Sequence, residues 1–265
     1  YGGQAVIEGV MMRGRNAFAI AMRSPEGNIE IHVEKLAKIY KSRLAKTPFV
    51  RGLVLLWDAM GLGMRALTIS ANLQSGEDEK LEGPALYLTL TFSLLLSIGL
   101  FFMLPATAGG LVERYFEWNA WWGNLLEGAV RILILVGYVW AVGLMPEIQR
   151  VYSYHGAEHK TINAFEDGAE LTPEIVATYS REHARCGTAF LLTLVLFSII
   201  VYSILGPMPL GLRLLSRLLL IPVIAGMAYE YIKWTAAHLD SRIVEALGRP
   251  NMALQLLTTH EPDLE

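Results

Sequence analysis

The sequence has little charge and almost no cysteine. Of its 265 residues only 18% are charged, against about 25% in a typical soluble domain. The single cysteine, Cys186, excludes an intramolecular disulfide and a zinc cluster built from cysteines alone. With a net charge of −3, the chain lacks the overall positive charge typical of nucleic-acid-binding proteins, so no nucleic-acid partner is expected. The glycine-rich patterns that cradle nucleotide phosphates are also absent from the appropriate contexts.

Apolar residues make up 53% of the chain and are concentrated in blocks. Four blocks are close to the roughly 20 residues that a helix needs to cross a bilayer. They cover residues 86–104, 125–145, 188–205 and 214–231, and the last contains Pro222 and Gly226. The predicted fold class is therefore mainly α: a polytopic helical membrane protein with about four transmembrane helices in a domain spanning 84–240.

The segments outside these blocks predict smaller elements. In residues 1–47, two short alternating runs, 16–23 and 28–34, flank Ser24-Pro-Glu-Gly27, which is typical of a β-hairpin. Residues 48–83 predict an amphipathic helix, either interfacial or packed inside the protein, followed by a solvated loop; a full span is the less favoured alternative. Residues 241–265 predict a polar to amphipathic tail.

Basic residues predict the topology. Five of them lie between residues 35 and 46: Lys35, Lys38, Lys41, Arg43 and Lys46. Such clusters usually face the cytoplasm, so both termini and the insertion 146–187 are expected on that side of the membrane. The aromatic-rich connector 106–124 and the turn 206–213 would lie outside. Arg213 and Arg217, close to that outer turn, depart from the rule.

The segment His155-Gly-Ala-Glu158-His159 is the most informative motif. Two histidines four residues apart lie one turn above each other on a helix, so both could bind one divalent metal ion. Glu158 lies beside them, where it could act as a general base. This H-x-x-E-H arrangement is that of inverzincin hydrolases.

A catalytic zinc site takes three protein ligands and leaves one position for water. Glu230 is the predicted third ligand, because a carboxylate in a membrane-adjacent apolar helix is costly without a partner. His183, Cys186 and His238 are predicted at the same membrane face and are alternative ligands. Glu8 and Arg13, in the glycine-rich start of the chain, are further candidates for the site.

Each of these residues also has a structural interpretation. The two histidines of the motif could be interfacial and hydrogen-bonded to lipid headgroups or backbone, and Glu158 could pair with Arg185. Glu230 could pair with Lys233 or with an arginine of the amino-terminal domain. Cys186 could serve close helix packing, His238 could be solvated or cap a helix, and the glycine-rich start could be a tight turn.

Six stretches carry a resemblance to a known family. They are GGQAVIEGVMMRG at 2–14, PFVRGL at 48–53, YHGAEHKTINAFE at 154–166, RCGT at 185–188, AYEYIKW at 228–234 and LQLLTTHEPD at 254–263. Together they resemble the YqhQ family of bacterial membrane proteins along nearly the whole chain. The resemblance implies an inner-membrane protein and, on the same histidines, a metal-dependent enzyme. It implies no substrate.

The leading hypothesis is a metal-dependent membrane hydrolase that acts on a peptide, a lipid or a lipid-linked molecule. A transporter, channel or lipid-handling protein is the first alternative, since Arg131 lies in one predicted span and another is interrupted. The second alternative is an oligomeric scaffold packed through Gly137 and Gly143. Membrane lipids and a second copy of the chain are the expected partners.

Overall fold

The amino-terminal part of the molecule is a four-stranded antiparallel sheet. The computed structural model describes residues 2–14, 16–36, 47–75 and 83–264. The strands β1 (Gly2–Val6), β2 (Gly9–Arg13), β3 (Ala17–Arg23) and β4 (Ile29–Lys35) pair in sequence order. The hairpin β3–β4 confirms the prediction, with Gly27 at φ +88° in its turn. The glycine-rich start of the chain adds β1 and β2, two strands that the sequence analysis did not predict.

The sheet packs against the first helix, α1 (Val50–Gln74). Alternate strand residues form one buried face, which covers Ala66 of α1. The residues of that face are Val6, Met11, Phe18, Ile20 and Met22. The Ser70 hydroxyl accepts a hydrogen bond from the Ile7 N–H at 3.2 Å. Helix α1 is long and apolar enough to span a membrane, yet these contacts hold its second half against the sheet and favour the packed-helix interpretation.

A 34-residue helical stretch follows and is exposed on nearly all sides. It consists of α2 (Gly83–Ile98), a π-helical turn (Gly99–Met103) and α3 (Leu104–Phe116). No residue of α2 is buried, and large apolar side chains such as Leu88 and Phe92 are about two-thirds exposed or more. An exposed surface made mostly of apolar side chains is what a lipid-facing helix presents.

The π-helical turn lets this helix continue past Pro105, where the sequence analysis ended the span. A proline inside a helix lacks an N–H and clashes with the carbonyl four residues earlier. That carbonyl belongs to Phe101, and it accepts a hydrogen bond from the Arg131 Nε at 2.9 Å. Most of the predicted connector 106–124 is consequently helical, with only a short turn between α3 and α4 (Ala120–Val142).

Helices α4, α7 (Gly187–Ile204), α8 (Leu210–Leu219) and α9 (Ile221–Ala236) complete the apolar bundle. In the described part of the chain, four helices are long and apolar enough to cross a membrane, or five if α8 and α9 form one broken span. The predicted fourth span, 214–231, which Pro222 and Gly226 were expected to interrupt, is formed by α8 and α9, and these meet at a 45° bend just before Pro222. Pro222 lies in the first turn of α9, a position that tolerates its missing N–H.

A group of charged side chains is buried inside this bundle. Glu127 and Arg131 of α4 and Arg217 of α8 are each 1% exposed. The Glu127 carboxylate accepts hydrogen bonds from both arginines, from Arg131 Nη2 at 2.8 Å and from Arg217 Nη2 at 2.6 Å. Arg213 is buried as well and pairs with Glu113. Arg213 and Arg217, which lie near the predicted outer turn and depart from the expected distribution of basic residues, are therefore buried and paired with carboxylates inside the bundle.

The remaining helices are polar and gather at one end of the bundle. Helix α5 (Pro146–Glu166) and the single turn α6 (Pro173–Val176) form the predicted insertion between α4 and α7. The predicted tail contains helix α10 (Arg242–Gln255), which packs against α7. The basic cluster 38–46 and most of the loop 74–83 lie outside the described residues. Which side of a membrane each segment faces stays a prediction.

Candidate metal centre

Three potential metal ligands converge where α5 meets the start of α7. His155 and His159 lie one turn apart on α5, and their ring centroids are 4.4 Å apart. Cys186 is the N-cap residue of α7, and its Sγ lies 3.3 Å from the His155 Nε2. One ligand atom from each residue lies within 4.8 Å of the other two. No other group of this kind occurs among the residues that the structure describes.

Backbone carbonyls fix the tautomers of both histidines. The His155 Nδ1 lies 2.8 Å from the Thr258 carbonyl oxygen, and the His159 Nδ1 lies 2.6 Å from that of Arg181. A carbonyl oxygen can only accept, so each Nδ1 carries the proton. In its neutral form each ring would then carry a lone pair on Nε2 that could bind a metal ion, which is the arrangement that metal-binding histidines use.

Glu158 lies beside this group in a nearly closed environment. It is 5% exposed, and its Oε2 lies 3.7 Å from the His159 Nε2. The Gly3 N–H of β1 donates to this carboxylate. A side chain at position 3 would displace the Glu158 carboxylate, because its Cβ would lie 2.4 Å from the Glu158 Oε1. Burial raises the pKa of Glu158 to about 7, against the opposing effects of His155 and the Gly3 hydrogen bond.

The C-terminal segment after α10 covers the other side of α5. The His260 N–H donates to the Tyr152 carbonyl at 2.9 Å. A Cβ on Gly156 would lie 2.1 Å from the His260 carbonyl oxygen, so only glycine permits this approach. The Lys160 ammonium, buried to 4% exposure, donates to the Ala177 carbonyl and pairs with Glu261. The tail is thus a structural part of the site.

His183 lies next to the three-residue group but faces a different partner. Its ring centroid is 5.8 Å from that of His159, and its Nε2 lies 3.7 Å from a carboxylate oxygen of Glu166. The Gln255 side chain holds the His183 backbone through two hydrogen bonds of 3.0 Å. Burial lowers the pKa of His183, so its neutral form is favoured. Glu166 also pairs with Arg185, which had been considered as a partner of Glu158.

The structure does not bring Glu230 into the group, and this corrects the predicted ligand set. Its carboxylate receives the Arg51 guanidinium through two donors, with an Nε–Oε1 distance of 2.7 Å, and also accepts the Phe49 N–H at 3.1 Å. Since a bidentate arginine already neutralises this carboxylate, it needs no metal. Cys186, rather than Glu230, lies beside the two histidines.

The other three candidates are also accounted for. His238 is exposed beyond the end of α9, and its Nδ1 bonds to the Trp234 carbonyl at 2.8 Å. Arg13 ends β2, opposite Phe18 of β3. Glu8 pairs with Arg150 of α5, and this hydrogen bond lowers the pKa of Glu8. Glu8 thus fixes the sheet to α5, and neither His238 nor Arg13 joins the three-residue group.

Comparisons with known proteins give a family match over most of the chain and a related protein over nearly all of it. Residues 47–265 match the family described as "Protein of unknown function (DUF1385)". The chain belongs to this family. It is also 36% identical over 279 aligned positions to "Uncharacterized protein YqhQ" of Bacillus subtilis (strain 168), an alignment that covers 99% of this chain and 87% of that protein. The resemblance inferred from the motifs is confirmed. No solved structure matches the chain.

The DUF1385 match contains the three grouped residues and the tail that covers them. The sequence analysis missed the residues that orient the ligands: Gly3, Gly156, Arg181, Gln255 and Thr258. Two of them act through backbone carbonyls, which every residue type has, so sequence pattern alone gives no signal. The two glycines do give a signal, since glycine inside a helix or strand often marks a close backbone approach.

Proposed function

We propose that this protein is a zinc-dependent hydrolase of the bacterial inner membrane, with its site at the cytoplasmic end of the helical bundle. The observation that carries the proposal is the convergence of His155, His159 and Cys186, with both Nδ1 atoms already bonded to carbonyls. Two imidazole nitrogens and one sulfur suit zinc by ligand type. Three protein ligands would also leave one coordination position for water.

The residues around this group support hydrolysis rather than a purely structural ion. Bound zinc would supply Lewis acidity and lower the pKa of a coordinated water. Glu158 lies 3.7 Å from a ligand atom and is held by the Gly3 N–H, so it can take a proton from water at that position. The Arg181 and Thr258 carbonyls keep the imidazoles oriented. Peptides, lipids and lipid-linked molecules are the substrate classes that fit this place.

The network of Glu127, Arg131 and Arg217 argues against a transport path through the centre of the bundle. A path needs polar groups that are free to contact cargo at several depths. The donors of Arg131 are directed to Phe101, Ser198 and Glu127. Those of Arg217 are directed to Glu127, Asn124 and Ser216. The donors of both arginines are therefore bonded to neighbouring residues of the bundle, which favours a role in packing.

The proposal predicts the metal content of variants that lack one or two of the candidate ligands. Protein purified in detergent is expected to hold about one zinc ion per chain, measured by inductively coupled plasma mass spectrometry. Cys186→Ala and the double variant His155→Ala/His159→Ala are expected to lose it. Glu230→Gln, which the sequence analysis alone would have expected to lose zinc, should keep it, because Glu230 is paired with Arg51.

A matched control separates loss of ligands from loss of fold. His238→Ala removes an exposed histidine outside the group and should retain zinc. Glu158→Gln should also retain zinc while abolishing hydrolysis of any peptide or lipid ester that the native protein cleaves. Zinc retained in the double-histidine variant would refute the site. Absence of any metal from the native protein, even after repletion with zinc, manganese, cobalt and nickel, would refute the function.

A further inference from the structure

A cavity lies at the end of the bundle opposite the candidate metal centre. It has a volume of about 890 Å³ and is formed by α3, the turn into α4, the end of α7 and the start of α8. Its walls include Trp118, Trp121, Ser203 and Met208. Helix α7 has 18 residues and runs from Cys186 to this cavity, so the two sites are about 27 Å apart at 1.5 Å per residue.

Arg213 is the notable polar group of this cavity. It lines the wall although the residue is only 1% exposed. One donor, Nη2, pairs with Glu113. The Nε and Nη1 atoms have no hydrogen-bond partner among the residues that the structure describes. Buried donors are costly when unpaired, and more so on a charged group than on a neutral one. A ligand with acceptor oxygens would satisfy both.

The surroundings of Arg213 suit an anion. The cavity lining contains two arginines, Arg213 and Arg114, but one carboxylate, Glu113, which leaves one positive charge in excess. The first residues of α4 and α8 also line it, and helix N-termini carry partial positive charge. Gly110 leaves space at the guanidinium, because a Cβ there would lie 3.2 Å from the Nη1.

The size and the remaining walls indicate more than a free anion. A volume of about 890 Å³ is in the range of pockets for small organic ligands and far exceeds the size of a phosphate ion. Apolar and aromatic side chains line most of it, including Leu111, Pro207 and Leu210. Tryptophans such as Trp118 and Trp121 are typical of the membrane–water interface, where lipid headgroups lie.

We infer that this cavity binds the phosphate group of an anionic lipid through Arg213, with the acyl chains against the apolar wall. The site does not depend on the metal centre at the other end of the bundle. Lipid binding at this site requires that the turn between α3 and α4, together with α8, lies at a membrane surface.

The test measures lipid binding by the whole chain in a non-ionic detergent. The readout is the change in tryptophan fluorescence as lipid is added. Three probes separate the parts of the ligand: dioctanoyl phosphatidic acid, dioctanoylglycerol and inorganic phosphate. Phosphatidic acid should bind saturably, and each of the other two at least tenfold more weakly. The variant Arg213→Gln/Glu113→Gln removes both charges with little change in shape and should weaken phosphatidic acid binding tenfold or more.

Controls separate a binding defect from misfolding. Arg249→Gln/Glu245→Gln removes an exposed pair on α10 in the same way and should bind as the native protein does. Gly110→Ala keeps all charges, narrows the space at Nη1 and should also weaken binding. Every variant should keep the helical circular-dichroism spectrum of the native protein. Undiminished binding by the Arg213 variant, absence of saturable binding, or phosphate binding as tight as phosphatidic acid binding would overturn the inference.

Discussion

Replacing Gly156 with alanine is expected to displace the C-terminal segment and disable the metal centre. The added Cβ would lie 2.1 Å from the His260 carbonyl oxygen, which is a backbone atom and cannot rotate away. The segment would have to shift, breaking the hydrogen bond from the His260 N–H to Tyr152 and moving the Thr258 carbonyl away from His155. Overpacking of this kind costs about 1–3 kcal/mol.

The measurements are zinc content, melting temperature in detergent and protease cleavage of the tail. The Gly156→Ala protein should melt at a lower temperature, bind zinc less tightly and be cut after α10. Gly137→Ala is the matched control, since no atom lies within 4 Å of its Cβ in helix α4. That change should leave zinc binding unaffected and slightly raise stability, as alanine favours helix. An unshifted melting temperature together with full zinc content in Gly156→Ala would show that the tail does not position His155.

Local patterns were enough to predict the elements that local forces determine. The Pro25-Glu-Gly27 turn between alternating runs predicted the β3–β4 hairpin, and the four-residue spacing predicted that His155 and His159 share one face of a helix. Blocks of apolar residues predicted the helical class. In each case the signal lies within a window of a few turns, so no distant contact is needed.

The residues that complete the site come from distant parts of the chain. The Gly3 N–H reaches Glu158 from the amino-terminal sheet, and the Thr258 carbonyl reaches His155 from the C-terminal tail. Sequence could place Cys186 near the histidines only through the predicted topology. It could not choose between Cys186 and Glu230, because the choice depends on Arg51, which is 179 residues from Glu230 along the chain.

The end of the first predicted span at Pro105 was wrong for a related reason. Pro105 was expected to end a span, but the π-helical turn and Arg131 together satisfy the Phe101 carbonyl, so the helix continues. A proline in an apolar run therefore predicts that the helix is distorted there, but it does not predict that the helix ends there. The partners of Arg217 were likewise hidden, since Glu127 lies 90 residues away from it along the chain.

Replacing Glu127 with glutamine is expected to cause the largest loss of stability in the helical bundle. The carboxylate is the shared partner of Arg131 and Arg217, and all three side chains are 1% exposed. Glutamine keeps the shape but removes the negative charge, which leaves two buried guanidinium groups without a counter-charge. Breaking a buried pair in this way costs about 3–5 kcal/mol. The melting temperature in detergent should fall accordingly.

Two further variants decide whether charge is the cause. Glu245→Gln removes the carboxylate of an exposed pair with Arg249, which should cost no more than about 1 kcal/mol. Arg217→Leu leaves Glu127 with one arginine, Arg131, so it should destabilise the bundle less than Glu127→Gln does, even though it removes a larger set of hydrogen bonds. The reverse order would mean that hydrogen bonding and packing around Arg217, rather than balance of buried charge, hold α4 and α8 together.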